Sequence, residues 1–290
     1  MKKTISLMLV LCLFLFSLCG CNNGGKSSEP DHSAEEIIDS ILTNIENVES
    51  LYLECETDSS MSVMGSKVDS KSTVVSEVNI KEKVQYISMV METLGNTVKT
   101  ECYIKENANG ADVYLNANGN WIKQTAIIPE KVAELGISTD SYQMMSLYFE
   151  MLKDNCEISE TTADGRKCYV FTGKIDAGEE ILEKSSLGNT LHQLIESGLS
   201  QEQIEEIISN VGEFEVTLYV DKETLLPTQF EVDITEATQN IMTGLADVLG
   251  ESGEIKVEKN VAISKYSQYN EIGEITIPEE VLNAEEVALY

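Results

Sequence analysis

The chain has 290 residues, 50 of them acidic against 20 basic, and a formal charge of −30. That balance excludes nucleic acid as a partner, since phosphate binding requires clustered lysine and arginine, and it disfavours electrostatic docking of the whole chain on anionic lipid. With 42% apolar residues and no block of five or six like charges, the sequence reads as a globular protein whose acidity is a solvated, self-repelling surface.

Met1-Lys2-Lys3 open the chain, and Ile5 to Leu18 contain no charge. This is the order of a secretory signal, and the run falls short of the roughly 20 apolar residues that a membrane span needs. The segment that follows, Leu18-Cys19-Gly20-Cys21, resembles the lipobox of bacterial lipoproteins. That resemblance implies removal of residues 1–20, a thioether-linked lipid on Cys21, and a protein held to the outer side of a cell membrane. Cys19 fits poorly, because bulky Leu18 would then occupy the cleavage position. Residues 22–32, NNGGKSSEPDH, have the composition of a flexible tether. Its full reach is at most about 35–40 Å.

Ser33 and Glu36 have the spacing of a capping box, and Ile37, Ile38, Ile41, Leu42, Ile45 and Val48 form one helical stripe behind it. Period-two patterns follow. Leu51, Leu53 and Cys55 alternate with Tyr52, Glu54 and Glu56, and Val98, Cys102 and Ile104 alternate with Lys99, Glu101, Tyr103 and Lys105. Phe214, Val216, Leu218 and Val220 behave likewise, as do Phe230, Val232 and Ile234. Such alternation predicts antiparallel strands with one buried and one wet face. Turn signals at Gly95-Asn96, Asn109-Gly110, Asn118-Gly119, Asp164-Gly165 and Asp221–Thr224 separate the runs. About ten strands are expected, too many to stay flat. Helices are predicted over 140–154, 200–211 with a second Ser200/Gln203 capping box, and 236–249, with a weaker one around Leu187, Leu191, Leu194 and Ile195. The expected fold is α+β. A single domain over 33–290 holds a curled antiparallel sheet whose concave face is covered by helices.

This layout resembles the half-barrel lipoproteins, among them the Lol-type lipoprotein carriers and the mycobacterial LppX/LprG-like lipid-binding lipoproteins. It is most similar to uncharacterised lipoproteins of Gram-positive bacteria, at Val113-Tyr114-Leu115 through Asn120-Trp121-Ile122-Lys123, at Tyr219 through Pro227, and at Tyr269-Asn270-Glu271 through Ile275-Thr276-Ile277-Pro278-Glu279-Glu280. The resemblance implies a half-barrel around a hydrophobic cavity and, for some members, transport of lipid or lipoprotein. It transfers no functional residue.

Nothing in the sequence points to catalysis. The two histidines are His32 in the tether and His192 in a weak helical segment, and no nucleophile elbow, zinc-ligand pair or phosphate loop occurs. No cofactor or metal is expected, and the Asp221–Pro227 stretch lacks the ligand spacing of a calcium loop. Cys55, Cys102, Cys156 and Cys168 are even in number, which fits disulfides outside the cytoplasm. Their strand phases fit buried free thiols equally well. Met144, Met145 and Met151 with Tyr148, Met242 with Leu245, and Met89 with Met91 are the candidate lining of an apolar cavity. Ordinary core packing is the other reading of the same residues. Two functions therefore stand: a lipid-anchored protein that binds a lipid or other hydrophobic ligand, or a non-enzymatic envelope lipoprotein with a packed core that docks on another protein.

Overall fold

The computed structural model describes residues 33–117, 119–127, 141–176, 199–249 and 255–287. The signal segment, Cys21, the tether, His192 and the weak helix around Leu187 lie outside them. Helix α1 (Ala34–Glu46) leads into six strands: β1 (Ser50–Val63), β2 (Ser66–Asn79), β3 (Val84–Thr93), β4 (Asn96–Asn107), β5 (Gly110–Ala117) and β6 (Asn120–Ile127). Helix α2 (Ser141–Leu152), β7 (Cys156–Ala163) and β8 (Arg166–Asp176) come next. Then follow α3 (Gln201–Ser209), β9 (Glu213–Asp221), β10 (Pro227–Asp233), α4 (Thr235–Leu249), β11 (Ile255–Ser267), α5 (Glu279–Leu282) and β12 (Glu285–Glu286).

All twelve strands form one open sheet in the order β12-β6-β5-β4-β3-β2-β1-β11-β10-β9-β8-β7. Every pairing is antiparallel except that of β12, which lies parallel to β6 through Glu285 and Glu286 opposite Ile122 and Lys123. The described residues thus hold twelve strands instead of about ten. β12 is the element that no alternation could show, because two glutamates carry no hydrophobic phase.

Both capping boxes form. The Ser33 hydroxyl accepts from the Glu36 amide and the Glu36 carboxylate accepts from the Ser33 amide, and Ser200 and Gln203 do the same for α3. Each cap satisfies helix-end amides that have no partner within the helix. Helices α1 to α4 lay their apolar sides on the inner face of β1 and β8–β11. Ile38 and Ile41 of α1, Tyr148 and Phe149 of α2, Ile207 of α3 and Ile241 of α4 share one buried cluster there with Leu51, Phe171, Leu218 and Phe230. Tyr148 stacks on Phe230 at 4.7 Å and meets Phe214 edge-on at 6.5 Å. Helix α4 is also pinned at its start: Asn260 donates to the Thr238 hydroxyl at 2.9 Å, and the Thr235 hydroxyl accepts from the Asn260 amide at 2.8 Å.

The other half, β2–β6, meets that helix-covered cluster only through Val78 among its described residues, and its outer face departs from the expected polar surface. Tyr103, Tyr114 and Trp121 stand on that outer side, and Ile275, Ile277 and Val281 pack against them. After β11 the chain is held to the base of β1 and β2: the Ile272 amide donates to Ser50 Oγ at 3.1 Å, and Asn79 donates to the Gly273 carbonyl at 3.0 Å. It then runs beneath β3–β6 and ends on the β6 edge, where the Val287 amide donates to the Lys123 carbonyl at 2.9 Å. This strap covers an otherwise exposed aromatic surface and occupies a strand edge, both of which are aggregation hazards when left bare.

Candidate functional site: the inner face of β1–β6

The strand pairings set the inner face out as rungs. Leu53, Ser76, Ile87, Cys102 and Leu115 make one. Cys55, Val74, Met89 and Thr100 make the next, and Thr57, Ser72, Met91 and Val98 the one beyond. Side chains alternate across a strand, so the charges flanking these rungs are turned outward: Glu54, Glu56, Glu77, Lys71, Glu101 and Lys105 all sit between the rung positions. The one described inner-face position of β1–β6 with a charge is Glu106, opposite Ala111 at the end of β4, where it is exposed and pairs with Lys83 at 3.2 Å.

Two kinds of side chain remain. Met61, Val68, Val74, Met89 and Met91 are half-buried, leaving apolar surface on a concave sheet. Beside them lies a polar patch. Ser76 is satisfied by Gln85, whose amide donates to it at 2.9 Å. Ser70 and Ser72, by contrast, are buried to 8% and 3% exposure, and neither hydroxyl has a hydrogen-bond partner. A buried hydroxyl without a partner costs about 1–3 kcal/mol, so both are poised for an oxygen brought by another molecule. The buried titratable groups described on this face are thiols. Burial pushes Cys102 from its ordinary 9.0 up to about 12, which keeps it a neutral thiol and a poor nucleophile. The face can hold an apolar or neutral amphiphilic molecule, and among its described residues it offers no buried acid or base and no activated nucleophile.

Met89 and Met91 stand on this face. Met145, Tyr148, Met242 and Leu245 lie in the main core beneath the helices, with Met151 packed partly buried against it. The structure therefore separates the candidate lining into two places. The Met144 side chain is outside the described set. Tyr148 keeps a link to ligand chemistry: its hydroxyl is buried without a partner, and burial raises its pKa well above the ordinary range. The serines are what hydrophobic periodicity missed. Their signal was the run Ser70-Lys71-Ser72, in which small neutral and charged residues alternate without any apolar member.

Cys55, Cys102, Cys156 and Cys168 are all free thiols. Cys55 and Cys102 share the inner face with two strands between them, while Cys168 lies on the opposite face from Cys156. Asp221 holds the β9–β10 turn by accepting from the amides of Glu223 and Thr224 at 2.8 and 3.0 Å, a sufficient local role for that motif. Among the described residues, no group of three or more His, Cys, Asp or Glu is arranged to hold a metal ion, and no helix is long and apolar enough to cross a membrane.

Among solved structures the chain is similar to LprF from Mycobacterium bovis, at 14% identity and a TM-score of 0.45, covering 88% of this chain and 99% of that one. It is also similar to a DUF1329 family protein from Desulfovibrio piger, at 12% identity and a TM-score of 0.25, covering 82% and 92%. A beta-barrel-like protein of domain of unknown function DUF1849 from Brucella abortus is a third, at 6% identity and a TM-score of 0.24, covering 76% and 96%. No curated protein matches the sequence. Residues 33–286, the span from the capping serine of α1 to the end of β12, match the family of unknown function DUF6612, and the chain belongs to that family.

Proposed function

We propose that this chain is a lipoprotein, anchored through Cys21 on the outer side of a cell membrane, that holds a lipid or other hydrophobic molecule against the inner face of β1–β6. The observation that carries the reading is the chemistry of that face: half-buried Met89 and Met91 and partnerless Ser70 and Ser72, on three rungs without a charge. Covering what remains exposed of the two methionines contributes about 1 kcal/mol each. The hydroxyls would donate to an ester or hydroxyl oxygen of the ligand. An anionic headgroup finds no cation on this face, so a neutral amphiphile suits it best. The lipobox resemblance and the tether composition supply the anchor, and the likeness to half-barrel lipoproteins points the same way. The test is to purify residues 22–290 without detergent, extract with organic solvent and identify what is released. A neutral lipid at near-stoichiometric yield is expected, and an empty extract overturns the proposal.

The dense packing beneath α1–α4 favours one other reading, a solid envelope protein that docks on a partner. It predicts an empty extract together with a protein captured by crosslinking on cells.

A further inference from the structure

Three turns in the sheet share one geometry, with positive φ at both central residues: Met64-Gly65 at 51° and 78°, Leu94-Gly95 at 51° and 75°, and Asp164-Gly165 at 49° and 80°. Such turns favour Asn, Asp or Gly at the first position, because a short polar side chain tolerates the left-handed conformation and meets water well. The β7–β8 turn follows that preference with Asp164. The β1–β2 and β3–β4 turns do not. They hold Met64 and Leu94 in the disfavoured conformation, at 63% and 59% exposure. Both lie at one end of neighbouring hairpins, the β1–β2 turn projecting four residues past the β3–β4 turn, since Ser70 pairs with Thr93. That step is roughly 13 Å. The Asp164 turn lies at the opposite end of the sheet.

The same end is electrically unlike the rest of the molecule. From the rung through Asp58, Lys71 and Glu92 outward to the tips, and along β11 from Ile255 to Val261, Lys67, Lys71, Lys256 and Lys259 balance Asp58, Asp69, Glu92 and Glu258. In a chain of charge −30, the described residues of these hairpin tips and of neighbouring β11 thus make a rim of no net charge that carries two exposed apolar side chains. From this rim Met61, Val68, Met91 and Val98 continue inward along the inner face. Ser33, where the described chain begins, lies toward this end as well: Glu35 and Asp39 pair with Lys153 at 3.7 and 2.6 Å, just before β7 starts from this end.

We propose that the Met64 and Leu94 turns are the contact surface of this protein with a lipid bilayer, dipping their side chains among the acyl chains so that the inner face of β1–β4 opens toward the membrane. Exposed apolar tips on a neutral rim fit a bilayer surface, from which the acidic remainder is repelled. A protein partner would leave the positions shielded from lipid.

The test places an environment-sensitive fluorophore on Met64→Cys, Leu94→Cys or Asp164→Cys in the full chain carrying Cys156→Ser. Each chain is reconstituted into vesicles of phosphatidylcholine and phosphatidylglycerol, 3:1, bearing a nitroxide on the acyl chain. Quenching several-fold stronger at 64 and 94 than at 164 is expected, and quenching at both no stronger than at 164 overturns the assignment. A second variant guards against misfolding by the label. Met64→Asn with Leu94→Asn installs the residue the turn prefers, so Tm is held or raised, while a label at Val98→Cys loses most of its quenching. Quenching retained at Val98→Cys in that variant also overturns the assignment. Neither readout involves a bound ligand, so its failure is separable from failure of the ligand proposal.

Discussion

Ser72 and Met91 face each other across the β2–β3 pairing, a partnerless hydroxyl beside a half-buried thioether on a rung without charge. The pair condenses the chemistry proposed for the site, and it gives the first prediction. In the ligand-free protein Ser72→Ala removes an unsatisfied group, so unfolding in urea should show a gain of about 1 kcal/mol. Lipid co-purifying with the same variant should fall. A gain in stability with unchanged lipid would mean that the hydroxyl does not meet the ligand.

Met89→Asp puts a carboxylate onto an uncharged rung. Because Met89 is half-buried, the charge keeps much of its water, and the stability loss should stay near about 1 kcal/mol. Ligand retention should drop by ten-fold or more, since an acyl chain cannot solvate the group. Equal retention in variant and parent would move the site elsewhere.

Much of this architecture could be read from the residues, and the failures share one cause. The helices were legible because Ser33/Glu36 and Ser200/Gln203 cap amphipathic stripes, and the strands of the main core because Phe214–Val220 alternate cleanly. In β4–β6 the same alternation is ambiguous. Ile104 and Val113 face inward, yet Tyr103, Tyr114 and Trp121 are apolar on the other side, covered by a strap more than 150 residues later in sequence. Local pattern cannot show which distant segment covers a face. In β2 the inner positions Ser70, Ser72 and Ser76 are small and polar between Val68, Val74 and Val78, so the face proposed as the site left only a broken hydrophobic period.

The strap gives a spectroscopic prediction. Trp121 is the single tryptophan of the chain, and it lies in the cluster with Ile277 and buried Val281. Val281→Asp buries a charge there and should cost about 2–4 kcal/mol. It should also shift Trp121 emission to longer wavelength at temperatures where circular dichroism still reports an intact sheet. Simultaneous loss of both signals would show that the strap and the sheet unfold as one unit.

Gly173 tests how tightly α2 is seated. A Cβ there would meet the Leu152 side chain at 2.5 Å and the Asn155 carbonyl oxygen at 2.9 Å. The backbone oxygen cannot swing away, so Gly173→Ala should cost about 1–3 kcal/mol, read from the urea midpoint. A variant as stable as the parent would show that the segment after α2 moves freely.

Alkaline pH provides a sign-defined check on burial. Burial raises Cys102 from 9.0 to about 12, and burial with the Glu101 hydrogen bond raises Tyr86 from 10.0 to about 12. Both groups are held in their neutral forms by the fold. Their stabilisation is complete below the unfolded values of 9.0 and 10.0 and is lost as pH rises through about 12. Tm should therefore be flat near neutrality and fall between pH 9 and 12, with Cys102 unreactive toward thiol reagents until unfolding. Rapid labelling of Cys102 in the folded protein at pH 8 would contradict this.

The most direct measurement is native mass spectrometry of residues 22–290, purified without detergent, beside the same protein carrying Met89→Asp. The parent should fly with one added mass that collisional activation releases as an uncharged lipid, and the variant with the bare polypeptide mass. A parent at its bare mass, or an adduct retained in full by Met89→Asp, would contradict a ligand held on the inner face of β1–β6.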